Sequence, residues 1–225
     1  MQINQRPMAG RSPQAGFTLI EMAIVMLIIG LLLGGLLMPL SEQVNHERYR
    51  ETEKQLNSVR EALMGFALDQ QRLPCPDTTG DGVEDSPCAD VEGSVPWLTL
   101  GVGRLDGWQR PLRYRVDANF YVSIPDPANT TSGLAIQQQD GTALTAANPD
   151  APVAIVFSCG RDGLANDEND AAGADLPNCA NPGGVNALYI QDAPNDDPAN
   201  RFDDLLIWLS KNTLLNRLVS AGKWP

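Results

Sequence analysis

From Phe17 to Leu40 the chain is apolar at every position except Thr18 and Glu21. At about 1.5 Å per residue a helix over this run is roughly 36 Å long, enough to cross a hydrocarbon core. Beyond Pro39 the pattern changes without ending. Ser41–Glu53 is strongly polar, after which Leu56, Val59, Leu63 and Phe66 recur at helical spacing. One helix is therefore expected from Phe17 to Gln71, stopping before Pro74, with a greasy first half and an amphipathic second half whose stripe packs on a sheet. After Pro74 the periodicity shortens. Strands are expected at Leu112–Val116, Phe120–Ile124, Val153–Ser158, Ala187–Gln191 and Leu205–Leu209, the first two joined as a hairpin by Asp117-Ala118-Asn119. Asn212–Ala221 reads as a short terminal helix. The fold class is α+β, a long N-terminal helix laid on an antiparallel sheet, in four segments: 1–16, 17–40, 41–73 and 74–225.

The first sixteen residues hold Arg6 and Arg11 and no acid. A basic flank ahead of an apolar run predicts a cytoplasmic N-terminus and an exported C-terminal body. An ordinary secretory signal would place small residues and a cleavage site after the apolar run. Leu37-Met38-Pro39-Leu40 offers none, so the run is expected to stay as an anchor. The junction Gly16-Phe17-Thr18-Leu19-Ile20-Glu21 resembles the processing motif of type IV prepilins and type II secretion pseudopilins. It combines a short basic leader, Gly, Phe, and Glu four residues later at the head of an apolar run. The resemblance implies a prepilin peptidase that cuts after Gly16 and methylates the new amine of Phe17. It also implies the pilin fold, an inner-membrane assembly platform, and neighbouring pilin or pseudopilin subunits as partners.

Glu21 stands out physically, because a carboxylate inside a membrane span is expensive and is a functional candidate by default. The resemblance implies that it pairs with the Phe17 amine of a neighbouring subunit. The alternative is a first-turn Glu favoured by the helix dipole; the two can coexist. Gly30 and Gly34 form a GxxxG pair that permits close helix approach in lipid. Pro39 lacks an amide hydrogen and is expected to kink the helix or loosen the preceding turn. With Gly34 and Gly35 it marks where the helix stretches on packing into a filament.

Composition narrows the body. Formal charge is −12 for 225 residues, and the two leader arginines leave −14 for the remainder. Such a body has no general attraction to phosphate backbones, so nucleic acid is not an expected partner. A DNA-uptake role would need a basic patch, for which Arg104, Arg110, Arg113 and Arg115 are the candidates. Four cysteines form two local pairs without CxxC spacing, and no His stands near them to complete a zinc site. In an exported domain the simplest reading is two short-loop disulfides, Cys75–Cys88 and Cys159–Cys179; in the cytosol all four would be thiols. His46, the only histidine, sits in the polar stretch and is assigned no catalysis.

Two acidic loops are calcium candidates. Asp77-x-Thr79-x-Asp81-Gly82-Val83-x-Asp85 alternates oxygen-bearing positions with Gly at the sixth, as a loop wrapping a hard cation does. Position twelve is Cys88 rather than a bidentate Glu. The other reading of the loop is a surface turn that binds nothing. Ser158-Cys159-Gly160-Arg161-Asp162-Gly163 with Asp203-Asp204-Leu205 and Trp208 resembles the C-terminal calcium loop of major type II pseudopilins, with Asp204 the best-matched ligand. The intervening stretch is longer here. Asp106-Gly107-Trp108-Gln109-Arg110-Pro111-Leu112-Arg113-Tyr114 is similar to the Asp-Trp-Gly…Tyr stretch of the same family, with Gln109 where that family has Gly.

The reading is a structural subunit and not an enzyme. It lies in the inner membrane as a single pass, N-terminus cytoplasmic and domain periplasmic, and then in a periplasmic or surface filament. The calcium-loop similarity favours secretion, the two disulfides and the longer body favour pili. The rival class is a membrane-tethered periplasmic binding protein or metal-dependent hydrolase. Against it, the domain has no nucleophile motif, no His cluster and no HExxH or GxSxG arrangement.

Overall fold

The expected helix forms as one element, α1, Leu19–Gln70, 52 residues long. It runs through Pro39 without leaving helical conformation. The computed structural model describes residues 16–124, 131–145, 150–166, 169, 187–195, 197 and 201–223, and for helix residues 35–41 the backbone only. The chain divides between Asn45 and His46 into two units.

In the first unit α1 is greasy all round. Phe17 is 85% exposed and Leu19 91%, and Ile20, Met22, Ile24, Val25, Met26, Leu27, Ile28, Ile29, Leu31, Leu32 and Leu33 are exposed as well. Among the described residues no helix is long and apolar enough to cross a membrane. The described side chains of the apolar run end at Gly34, about 24 Å of helix from Leu19 at 1.5 Å per residue. The positions that would lengthen it, including Pro39, belong to the seven whose side chains lie outside the description.

In the second unit α1 buries Leu56, Val59, Leu63, Met64 and Ala67, a stripe at three- and four-residue spacing. Phe66, expected on that stripe, is only half-buried and lies under the Arg72 guanidinium at 5.1 Å. Gln71, in left-handed conformation at φ 54°, ends the helix. The elements that follow are β1 (Glu92–Ser94), α2 (Trp97–Leu100), β2 (Arg113–Val116), β3 (Ala135–Gln137), β4 (Pro152–Ser158), β5 (Leu188–Ile190), β6 (Leu205–Ser210) and α3 (Lys211–Ser220). One sheet is antiparallel in the order β1-β2-β4-β6, and β3 and β5 form a parallel pair.

Strand alternation sorts two cores. Tyr114, Val116, Ala154, Val156 and Leu209 join the α1 stripe with Leu214 and Leu218 of α3. Ile155, Phe157 and Leu206 turn the other way, onto Ile136 and Tyr189 of the smaller pair and Leu134 just before it. The four-stranded sheet is thus covered on both faces, by helix and by the parallel pair. This explains a β2 in which Arg113 and Arg115 are buried along with Tyr114 and Val116. On the second face Arg113 donates to Glu92 at 3.0 Å, and the Tyr189 hydroxyl donates to the other Glu92 oxygen at 2.5 Å.

Four expected strands form within a residue or so of their predicted ends, and the terminal helix does too. The hairpin does not. Both edges of β2 are taken by β1 and β4, which leaves no edge for Phe120–Ile124. Asp117 instead turns the chain, accepting from the amides of Asn119 at 2.9 Å and Gly133 at 2.9 Å. Phe120 is buried in the helix-side core, its carbonyl accepting from the Leu73 amide at 2.8 Å.

Candidate functional site

The junction segment is built by Thr18. Its backbone amide and its hydroxyl both donate to Glu21 Oε2 at 2.9 Å, and the Glu21 amide donates back to Thr18 Oγ1 at 3.3 Å. This is a capping box, in which side chains at the helix start and three residues on satisfy each other's amides. Thr18 is a residue the sequence reading passed over, although T-x-x-E ahead of an apolar run is its signal. Gly16 and Phe17 precede the helix, outside any regular element. A Cβ built on Gly16, Gly30 or Gly34 meets nothing within 4 Å, so nothing among the described residues requires glycine at these three positions.

The Asp77 loop is closed as expected by a Cys75–Cys88 disulfide, with Cα atoms 5.4 Å apart. A second clamp adds to it: Arg72 meets Glu84 in a two-pronged pair at 2.7 Å and 2.7 Å, and the Cys75 amide donates to Glu84 at 3.1 Å. Burial raises the Glu84 pKa, but Arg72 and the Cys75 amide outweigh it and hold the group below the ordinary value. Inside the loop the carboxylates face the loop's own donors. Asp77, buried, accepts from the amides of Thr79 at 3.1 Å, Gly80 at 2.7 Å and Gly82 at 2.8 Å. The Thr79 hydroxyl also donates to Asp77, at 3.2 Å. Asp81 accepts from the Val83 amide at 2.9 Å, and Asp85 from the Thr78 amide at 3.2 Å and the Thr78 hydroxyl at 2.5 Å. Gly82, at φ 86°, lies against the Trp97 ring with no space for a Cβ. The geometry is that of a self-satisfied turn.

The Ser158–Gly163 segment and Asp203–Asp204 do come together. Asp203 Oδ2 accepts from the amides of Arg161 at 2.8 Å and Asp162 at 3.0 Å. Asp204 Oδ2 accepts from the Asn166 amide and from Asn169 Nδ2, each at 2.8 Å. Gly160, at φ 52°, is pressed so close to the Asp203 carbonyl that any Cβ would overlap it. The remaining oxygens, Asp203 Oδ1 and Asp204 Oδ1, are buried and receive no hydrogen bond among the described residues. Burial pushes the Asp204 carboxyl well up, and burial together with the Asp162 charge pushes Asp203 up. Two orphaned carboxylate oxygens suit a hard cation as ligands, a fit that the Asp77 loop lacks. Among the described residues no three His, Cys, Asp or Glu side chains are grouped to hold a metal. Cys159 is disulfide-bonded; Cys179 lies outside the described residues.

Both family-like stretches meet at Asp106. Its Oδ1 accepts from the amides of Trp108 and Arg110 at 2.8 and 2.9 Å, and its Oδ2 from the Ser158 hydroxyl at 2.6 Å. The turn docks on α1 through Gly107, whose amide donates to Thr52 at 2.9 Å and where a Cβ would lie 2.2 Å from the Arg48 carbonyl. Gln109 takes φ 64°, a conformation that favours glycine. Of the four arginines weighed for a basic patch, Arg113 and Arg115 are buried, and Arg110 donates to the carbonyls of Gly160 and Arg161. Arg104 stacks over Trp97 at 4.7 Å. His46 is exposed.

Residues 11–37 match the prokaryotic N-terminal methylation motif, the hallmark of type IV pilins and pseudopilins. No curated protein and no solved structure matches the chain.

Proposed function

We propose that this chain, carrying the prepilin-type methylation motif, is a structural subunit that is processed after Gly16 and assembled into a type IV pilus-like or type II secretion pseudopilus filament. The observation that carries the reading is the motif at 11–37 continued by a helix exposing apolar side chains on every side. Such a surface is stable only when covered, by lipid or by like helices. In this reading the subunit waits in the inner membrane, its leader cytoplasmic and its disulfide-bonded domain in an oxidising compartment, until a membrane platform transfers it to the filament. Chemistry is done on the chain by the peptidase; the chain itself catalyses nothing.

Glycine at 16 meets no demand from the described residues, so its role is assigned to the peptidase, which needs a residue without a side chain there. Gly16→Val should leave full-length precursor in the membrane fraction, seen as a band larger by the leader on gels. Cleavage of the variant at the wild-type rate would remove the peptidase from the account.

Calcium belongs to the same proposal as a stabiliser of the domain. The Asp203–Asp204 corner is favoured over the Asp77 loop, because of the two only the corner has buried carboxylate oxygens without a donor among the described residues. Asp204 and Asp203 would hold the ion, whose contribution is to neutralise carboxylates that burial disfavours as anions.

A further inference from the structure

The four-stranded sheet ends on β6, whose outer side has no strand partner among the described residues. The Leu206 amide turns to that side and is capped at 3.0 Å by the Gln191 side chain. Alternation turns the Trp208 backbone the same way, past the reach of that cap. Here the edge opens into a groove of about 480 Å³ between α1, β6 and α3, lined by Ile207, Trp208 and Leu209 with Arg60, Arg217 and Glu61 among its charged neighbours. Arg60 is half-buried and Arg217 exposed, and among the described residues neither guanidinium has a hydrogen-bond or ion-pair partner. Two unpartnered guanidinium groups against one carboxylate make this groove basic on a chain of net charge −12.

We infer that the groove seats an extended, acidic segment of a second copy of this chain, added alongside β6. An unpaired edge offers backbone hydrogen bonds, and flanking pockets and charges select the segment. The complement is supplied by the chain itself, whose excess of acid makes another copy's surface the matching partner for two free arginines. Because groove and acidic segment are different surfaces, the contact is heterologous, and where its rotation closes no ring it repeats from copy to copy, the geometry of a filament. The inference rests on the subunit reading above and adds the surface through which the exported domains recognise each other.

The test uses the full chain in the cell that assembles it. Arg60→Glu combined with Arg217→Glu alters two side chains that make no hydrogen bond or ion pair among the described residues, so processing, membrane level and the detergent-solubilised melt should match wild type. Its share of the sheared filament fraction should fall at least tenfold. In parallel, a photo-cross-linking residue placed at Thr213, on the groove wall, in an otherwise wild-type chain should yield an adduct of two copies. Wild-type incorporation of the double variant overturns the inference and leaves the subunit reading standing, as does an adduct with a different polypeptide or no adduct at all. A wild-type chain that never enters a sheared filament overturns both.

Discussion

Two roles meet at Glu21 in the proposed filament, and one conservative substitution separates them. Its carboxylate closes the capping box with Thr18, and in the proposed filament it also meets a neighbour's Phe17 amine. Glutamine can still accept from Thr18, since capping boxes take Glu or Gln alike, but it has no charge for the amine. Glu21→Gln should therefore be processed and retained in the membrane like wild type and be missing from sheared filaments. Glu21→Val should do the same with a frayed first turn. Full incorporation of Glu21→Gln would assign the residue to capping alone. Asp77 and Asp204 divide in a comparable way. Removing Asp77 strips the Gly82 amide, in a buried bond, of its acceptor, which costs about 1–3 kcal/mol. Asp77→Ala should lower the melting temperature equally in millimolar calcium and in chelator. Asp204→Asn removes a buried charge, so it should melt no lower than wild type in chelator yet gain nothing from calcium. A calcium shift that survives Asp204→Asn and disappears in Asp77→Ala would move the ion to the N-terminal loop.

At the level of elements, the loop closed by Cys75–Cys88 is held a second time by Arg72 and Glu84. Glu84 has a folded pKa below its unfolded value, so its contribution is present above the unfolded value of about 4.3 and is lost as pH falls through the folded one. Melts taken downward from neutral pH should show wild type losing its advantage over Glu84→Gln in that acidic window. A constant gap between the two would mean the pair contributes through shape and not charge. How far the elements could be read from sequence follows from how local their signals are. The α1 stripe, β4 and α3 declare themselves through their own spacing. The missed β1 and β3 are three residues each, too short for a periodic pattern. The false hairpin at Phe120–Ile124 had good turn chemistry, and what excluded it was the occupation of both β2 edges by segments distant in sequence. The site shows the same division. Gly16, Phe17 and Glu21 form a contiguous motif. The orphaned oxygens of Asp203 and Asp204 arise only when a second loop brings Asn166 and Asn169 to their partners. At Gln109 the sequence departs from the similar stretch of pseudopilins, while its φ of 64° keeps the conformation that glycine would take.

For the molecule as a whole, the two units answer to different surroundings. Residues from His46 onward enclose two apolar cores and a buried Glu92–Arg113–Tyr189 network, enough interior to account for the domain without outside help. The helix before Asn45 has no buried side chain among the described residues, and in the proposed function lipid or other helices cover its exposed Ile, Leu, Val and Met side chains. The central claim is that the chain passes from one cover to the other after losing its leader. The most direct test is the intact mass and N-terminal sequence of the protein recovered from sheared filaments. The account predicts a chain that begins at Phe17, with a methylated amine and Cys75–Cys88 oxidised. A chain beginning at Met1, or one beginning beyond Leu40 and free of the membrane, would contradict it.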